Sequence, residues 1–209
     1  MEVHKCGWCL GNDLYEAYHD EEWGVPVKDD ATLFEFLVLE TFQAGLSWLT
    51  VLKKRENFRR AFDNFDYRKI AAYNQSEIDA LLKDSGIIRN KLKIRATVSN
   101  ARAFIEVQKE FGSFSDYIWG FINGKPIKNS FANYRDAPAK TALSDTLSKD
   151  LKKRGFKFVG STVVYAHMQA TGMVNDHELN CFRYEQVEVF IIGNYSFIAI
   201  FNKPFSGKS

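Results

Sequence analysis

Between Leu33 and Leu52 the chain is almost continuously apolar, yet the run carries Glu35, Glu40, Gln43, Ser47 and Thr50. Two carboxylates are too costly for the hydrocarbon core of a bilayer. The run is therefore expected to be a buried helix of a soluble protein and not a membrane span. Burying such a helix requires thick apolar layers around it, and the composition supplies them. Hydrophobic residues make up 45% of the 209, aromatics 15%, with 18 Phe and only 4 Pro. That balance excludes a disordered chain, a collagen-like repeat and a disulfide-dense scaffold. The length fits one large domain or two small ones.

Helical signals continue from residue 29 to about residue 172. Asp29 or Asp30 can cap a helix beginning near Ala31. Phe58, Ala61, Phe62 and Phe65 recur at helical spacing, and a helix capped by Ser76 is expected to end at Gly86. Asn90 to Phe111 reads as a long amphipathic helix and Ser115 to Phe121 as a short one. Ile127 to Lys140 reads as an irregular connection. Ser144 is expected to cap a helix through Lys153 that Gly155 ends, with another helix from Thr162 to Thr171. Alternating βαβ signals are missing, so a parallel sheet is not expected. The reading is all-α, one unit or two closely packed helical lobes. Only the tail differs: Val187 to Phe201 reads as two short strands about Gly193-Asn194.

Lys plus Arg total 28 against 26 Asp plus Glu, a formal net charge of +2, which by itself says little about partners. Local basic clusters stand at Lys53-Lys54-Arg55, Arg59-Arg60, Arg89 to Arg95 and Lys152 to Lys157. Such runs are as a rule solvated helix faces, although a local patch suffices for nucleic acid. Three cysteines argue against a disulfide framework and for a reducing compartment. Met1 to Asp20 has no signal-peptide apolar core, and the expected location is cytoplasmic.

Cys6 and Cys9 form a C-x-x-C pair near His4 and His19, and His177 and Cys181 are spaced to face one way on a helical turn. Zinc takes four N/S ligands, so two from each end would complete a site. Ordinary buried thiols and histidines fit the spacing as well. A thioredoxin-type redox pair needs a strand before it and a helix after it, and the few residues before Cys6 do not supply the strand.

Glu40 lies within Phe36-Leu37-Val38-Leu39-Glu40-Thr41-Phe42. An ionised carboxylate there is expensive unless paired or hydrogen-bonded. On a continuous helix Glu40, Ala44 and Trp48 would share a face and line one cavity. Alternatively, Glu40 reaches solvent at the edge of the apolar stripe or pairs with a basic residue. Trp8, Tyr15, Tyr18 and Trp23 crowd the N-terminal segment, as core packing or as walls for a flat base, where stacking contributes roughly 1–3 kcal/mol per base. Leu81 to Leu92 joins two helices through a tight connection containing Gly86. The start of its second helix offers unpaired N–H groups for a phosphate, with Arg89 and Lys91 adding charge. An ordinary helical corner is the plainer reading.

Several ordered stretches together resemble the bacterial DNA-3-methyladenine glycosylase I (Tag) family. They are Cys6-Gly-Trp8, Tyr18-His-Asp-Glu-Glu-Trp-Gly-Val-Pro26, Gln43-Ala-Gly-Leu-Ser-Trp48, Val51-Leu-Lys-Lys-Arg-Glu56, Gly86-Ile-Ile-Arg89, Leu147-Ser-Lys149, Gly155-Phe-Lys-Phe-Val-Gly160 and Val174-Asn-Asp-His177. The resemblance runs from about residue 4 to residue 184. It implies an all-α member of the helix–hairpin–helix DNA glycosylase superfamily, a glycosylase domain over residues 1–184 and a C-terminal extension of unassigned role over 185–209. It also implies a structural zinc joining the chain ends through Cys6, His19, His177 and Cys181, leaving Cys9 and His4 outside the set.

The same resemblance implies that Glu40 and Tyr18 hydrogen-bond a flipped purine on which Trp48 stacks, with Trp8 and Tyr15 around it. Glu40 is a recognition residue first and the candidate catalytic group. An anionic Glu40 would favour the cationic 3-methyladenine over adenine. Gly86, Ile88, Arg89 and Lys91 would meet the DNA backbone. The implied partner is double-stranded DNA carrying alkylated purines, met by a monomer without obligate protein partners or a membrane. The implied activity is hydrolysis of the N-glycosidic bond of 3-methyladenine without lyase chemistry, since the aspartate that many superfamily relatives place near the sugar is missing. A non-catalytic sensor of alkylated DNA and a redox protein built on Cys6 and Cys9 are the competing classes.

Overall fold

Helices, most of them opened by a side-chain cap, account for most of residues 3–187, the part of the chain described by the computed structural model. Asn12 opens α1 (Asp13–Glu21) by accepting from the Tyr15 N–H. Asp29 opens α2 (Asp30–Gln43), accepting from the N–H groups of Ala31 and Thr32, as the sequence leads one to expect. Every residue of α2 from Phe36 to Phe42 is buried. A helix apolar on all sides belongs at the centre of a core, and α2 packs against α3, α7, α8 and α10, all delimited below.

The expected single helix through Leu52 is broken. Ala44 leaves helical geometry, Gly45 takes φ +87°, and Ser47 caps a separate helix α3 (Trp48–Leu52) by accepting from the Thr50 N–H. A helix end orphans its last carbonyls, and here Lys93 takes two of them. Its buried Nζ donates to the Phe42 oxygen at 3.0 Å and to the Ala44 oxygen at 2.7 Å. Glu40 and Trp48 therefore do not share one helical face; a turn separates them.

After α4 (Arg55–Ala61) come three consecutive left-handed residues, Asp63, Asn64 and Phe65. The regular spacing of Phe58, Phe62 and Phe65 ends as a near-parallel ring stack, not as one helix. Then follow α5 (Tyr67–Ala71), α6 (Gln75–Lys83), α7 (Lys91–Phe111) and α8 (Phe114–Gly120). The helices α9 (Ala142–Lys153) and α10 (Ser161–Ala170) complete the set. Two expected caps shift upstream: Asn74 and not Ser76 caps α6, with Glu77 answering, and Thr141 caps α9 with Ser144 answering. Asn90 caps α7.

A parallel sheet was not expected, yet β1 (Ile127–Lys128) pairs in parallel with β2 (Val174–Asn175), Ile127 opposite Val174. Strands of two residues are too short to show a period, and their partner is remote in sequence. The expected C-terminal hairpin, beyond Val187, lies outside the described residues. Among the described residues no helix is long and apolar enough to cross a membrane.

Gly172, with φ +67°, brings the end of α10 onto the backbone of Gly24 to Pro26. A Cβ there would stand 2.4 Å from the Pro26 nitrogen and 2.6 Å from the Gly24 oxygen. Gly172→Ala is expected to cost at least about 3 kcal/mol by chemical denaturation, since strain and backbone overlap add. Gly124→Ala, at φ +72° with open space around it, is expected to cost only about 1 kcal/mol.

Candidate active site

Two constellations share α1. Tyr18 and His19 are consecutive and both buried; one side chain lines a cleft and the other joins a cluster of donors.

The cluster is Cys6, His19, His177 and Cys181, all buried, with ligand atoms within 4.8 Å of one another. His177 Nδ1 is 3.5 Å from the Cys6 sulfur and 3.6 Å from the Cys181 sulfur, and His19 Nε2 is 3.4 Å from the Cys181 sulfur. Zinc–sulfur bonds of about 2.3 Å and zinc–nitrogen bonds of about 2.0 Å put tetrahedral ligands roughly 3.5 Å apart, so the donor set fits the metal. His177 and Cys181 converge through a turn closed by the Cys181 N–H on the Glu178 oxygen, not through a helix.

The outward ring nitrogens are also held, His19 Nδ1 by Asp20 at 2.8 Å and His177 Nε2 by the Trp23 oxygen at 3.1 Å. Such partners orient imidazole ligands. The neighbouring Cys181 sulfur, then burial, raise the Cys6 thiol, while Cys6 and the two histidines lower Cys181. Burial lowers His177, keeping it in the neutral form a metal binds. Cys9 turns away, its sulfur donating to the Cys6 carbonyl at 3.1 Å, and His4 meets Glu178.

The cleft holds about 190 Å³, less than the roughly 300–1,000 Å³ of pockets for drug-sized ligands and suited to one flat ring system. Trp8, Tyr15, Tyr18, Trp23 and Trp48 wall it. Trp8 makes edge contacts with Tyr15 and Trp23 at 5.0 Å each, and Tyr18 lies 5.3 Å from Trp48. Glu40 lines the same space at 4% exposure, neither reaching solvent nor paired with a basic residue.

Three buried polar atoms have no hydrogen-bond partner there: Glu40 Oε2, Trp8 Nε1 and Trp48 Nε1. Buried polar groups are ordinarily satisfied, so one acceptor and two donors stand open around a flat, ring-walled space. Burial alone pushes the Glu40 carboxyl up to about 8. Burial with no positive charge beside it therefore favours the protonated form at neutral pH, where the resemblance implies an anion. Burial, then Glu40, raise the hydroxyls of Tyr15 and Tyr18.

The hairpin between α6 and α7 is braced from behind. The Gly86 N–H donates to Asp84 at 2.7 Å, and the Gly86 oxygen accepts from Lys54 at 3.0 Å and Asn57 at 3.1 Å. Ile88 packs partly into the core, while Arg89 and Lys91 are exposed. The sequence leads one to expect unpaired N–H groups at the start of α7, but Asn90 already accepts from those of Leu92 and Lys93. Two of the basic clusters are partly committed internally as well. Arg55 is buried against Glu22 and Glu35, with Arg59 on the same Glu35. Lys93, within the third, ties this hairpin to the turn at the rim of the cleft.

Residues with no role assigned from sequence also gather here. Gln43, Gln169 and Asp176 line the cleft. Leu46, 43% exposed, projects from the turn between Gln43 and Trp48. A lone apolar residue after a glycine was the available signal for Leu46; the others carried none.

The family model for methyladenine glycosylase matches residues 8–184. The chain belongs to the methyladenine glycosylase family. It is 49% identical over 179 residues to DNA-3-methyladenine glycosylase 1 of Escherichia coli K12, covering 86% of this chain and 96% of that protein. A crystal structure of 3-methyladenine DNA glycosylase I superposes with a TM-score of 0.83 at 50% identity, covering 86% of this chain and 98% of that one. The Staphylococcus aureus 3-methyladenine DNA glycosylase I, solved for the basis of its 3-methyladenine recognition, gives 0.83 at 36% identity over 85% and 95%. The family match thus spans the six cleft aromatics, Tyr134 among them, Glu40, the hairpin and three of the four clustered donors; Cys6 precedes it.

The orphaned carboxyl of this family member makes a stability prediction. Its folded pKa is about 8 against an ordinary 4.5, so the folded state binds more protons between those values. Stability from this group is full below pH 4.5 and is lost as pH rises through 8. Glu40→Gln should therefore stabilise the free protein increasingly with pH, levelling above pH 8 at up to about 4–5 kcal/mol. Denaturation at pH 6 and pH 9 measures it; a pH-independent difference would contradict the buried, unpaired carboxyl.

Proposed function

We propose that this chain excises 3-methyladenine from alkylated double-stranded DNA by hydrolysing its N-glycosidic bond and releasing the free base. The observation that carries the reading is the open acceptor on Glu40 and the open donors on Trp8 and Trp48 around one ring-walled cleft. The 3-methyladenine recognition described for the S. aureus relative supports the same choice of base.

Extruding a nucleotide costs roughly a few kcal/mol, least for a damaged base. Stacking on Trp48 and the surrounding rings repays part of that cost. Methylation at N3 leaves the base in DNA cationic, which weakens its glycosidic bond and supplies the counter-charge the Glu40 carboxyl lacks. Binding the lesion should therefore release the Glu40 proton, so that the anion appears only when a cation is present. A neutral adenine brings no such charge and leaves the carboxyl protonated. Water then attacks C1′, and because no lysine lines the cleft among the described residues to form a covalent adduct, we infer no lyase step.

Leu46 is placed to fill the gap left in the duplex. Arg89, Lys91 and the backbone from Gly86 to Ile88, braced by Lys54 and Asn57, form the helix–hairpin–helix contact with DNA phosphates. Cys6, His19, His177 and Cys181 would hold zinc, which with four protein ligands supplies a structural link and no open position for water. Through His19 that link fixes α1 and hence Tyr18.

Duplex DNA alkylated by a methylating agent, with released bases resolved by identity, tests the reading. Release of 3-methyladenine is expected; tight binding without release would favour a sensor of alkylated DNA. Glu40→Gln should lower release by roughly 100-fold or more, the scale of losing one preorganised electrostatic partner, with little change in affinity for unmodified duplex. Cys181→Ser should lose bound zinc by elemental analysis and unfold at markedly lower denaturant, whereas Cys9→Ser should retain both metal and activity.

A further inference from the structure

A second carboxylate faces the cleft. Asp176 follows β2, lines the same space as Glu40 and is 2% exposed. Asn129 Nδ2 donates to its Oδ1 at 2.6 Å; the Tyr165 hydroxyl and Gln169 Nε2 donate to its Oδ2 at 2.7 and 2.8 Å. Both oxygens serve as acceptors, the pattern of an ionised carboxylate. All three donors are neutral, and among the described residues no ion pair involves Asp176. Among the described residues, none that lines the cleft is basic. A zinc ion held by two thiolates would add no net charge beside it. A buried, uncompensated charge is costly, and one that lines a cleft is a candidate functional group.

We propose that Asp176 is the standing negative charge of the cleft, selecting cationic ligands and stabilising the positive charge that develops on the sugar. The proposal rests on the glycosylase reading. In that reaction the bond between C1′ and N9 breaks, and its electron pair goes to the cationic base, which leaves neutral. Positive charge passes to C1′ and the ring oxygen, then water adds to C1′ and gives its proton to solvent. A fixed anion in a site with little water stabilises this charge shift without reorganising. Because its oxygens are occupied by Asn129, Tyr165 and Gln169, Asp176 acts through space. Glu40, protonated until the lesion arrives, does not supply this resting charge.

The test uses the full zinc-loaded chain and two duplexes that differ at one nucleotide. One carries a neutral tetrahydrofuran abasic site, the other a cationic pyrrolidine in its place. The unaltered protein should favour the cationic duplex by about tenfold or more, the scale of one close charge interaction. Asp176→Asn should lose that preference and slow single-turnover release of 3-methyladenine, with zinc and tetrahydrofuran-site affinity retained. Tyr165→Phe removes a donor but keeps the charge, and should keep the preference.

Retained preference in Asp176→Asn, or equal loss in Tyr165→Phe, would overturn the proposal. If Asp176→Asn fails to fold, Gln169→Lys sets an ammonium against the intact carboxylate and should abolish the preference; unchanged preference there overturns it too. Failure of the glycosylase reading is separate, since the unaltered protein would then release no 3-methyladenine.

Discussion

A carboxyl group buried without a partner is the constraint around which the site is organised. Glu40 sits in the last turn of α2, within a run buried on every side, where among the described residues no basic side chain neutralises it and one oxygen has no donor. A sequence that needed only a stable core would place an apolar residue there. The cost is tolerated because the group becomes useful when a cationic planar ligand enters. At Glu40, discrimination then rests on a proton released when the right charge arrives, beside the standing charge proposed for Asp176.

Everything nearby keeps that group from finding an easier solution. α2 ends three residues later, and Lys93 holds its terminal carbonyls so that the chain turns at Gly45 and returns with Trp48. On the other side, the four clustered donors and the Asp20–His19 contact fix α1, which presents Tyr18 and Tyr15 to the cleft. The hairpin before α7 is joined to the rim of the cleft through the same Lys93. Contact with a duplex and opening of the base site are thus mechanically adjacent.

Much of this was legible in the amino-acid sequence where the cause is local. Asp29 before an apolar run and Asn90 before a long amphipathic one mark their helices because a cap acts over three residues. Glu40 among five apolar residues of a seven-residue run announced an unusual carboxyl. What escaped depends on remote partners. A glycine inside a helical pattern does not by itself end a helix; the break at Gly45 depends on Lys93. Spacing could not decide between Cys9 and His19 as the second N-terminal donor, because it does not show that Cys9 turns its sulfur to a backbone oxygen, and the resemblance decided that set. The pairing of β1 with β2 and the reach of Asn129 to Asp176 join segments far apart in the chain, and no period or spacing records them. The charge on Glu40 was also misjudged, since a sequence shows apolar neighbours but not whether a counter-charge folds back to meet them.

The most direct measurement is the titration of Glu40 itself, by the NMR shift of its side-chain carboxyl carbon in the free, zinc-loaded protein and again with a duplex carrying a cationic nucleotide analogue. A midpoint near pH 8 in the free protein, and an ionised group at neutral pH once the cation is bound, is the expected result. A free-protein midpoint in the ordinary carboxylate range, unmoved by the cationic duplex, would contradict it.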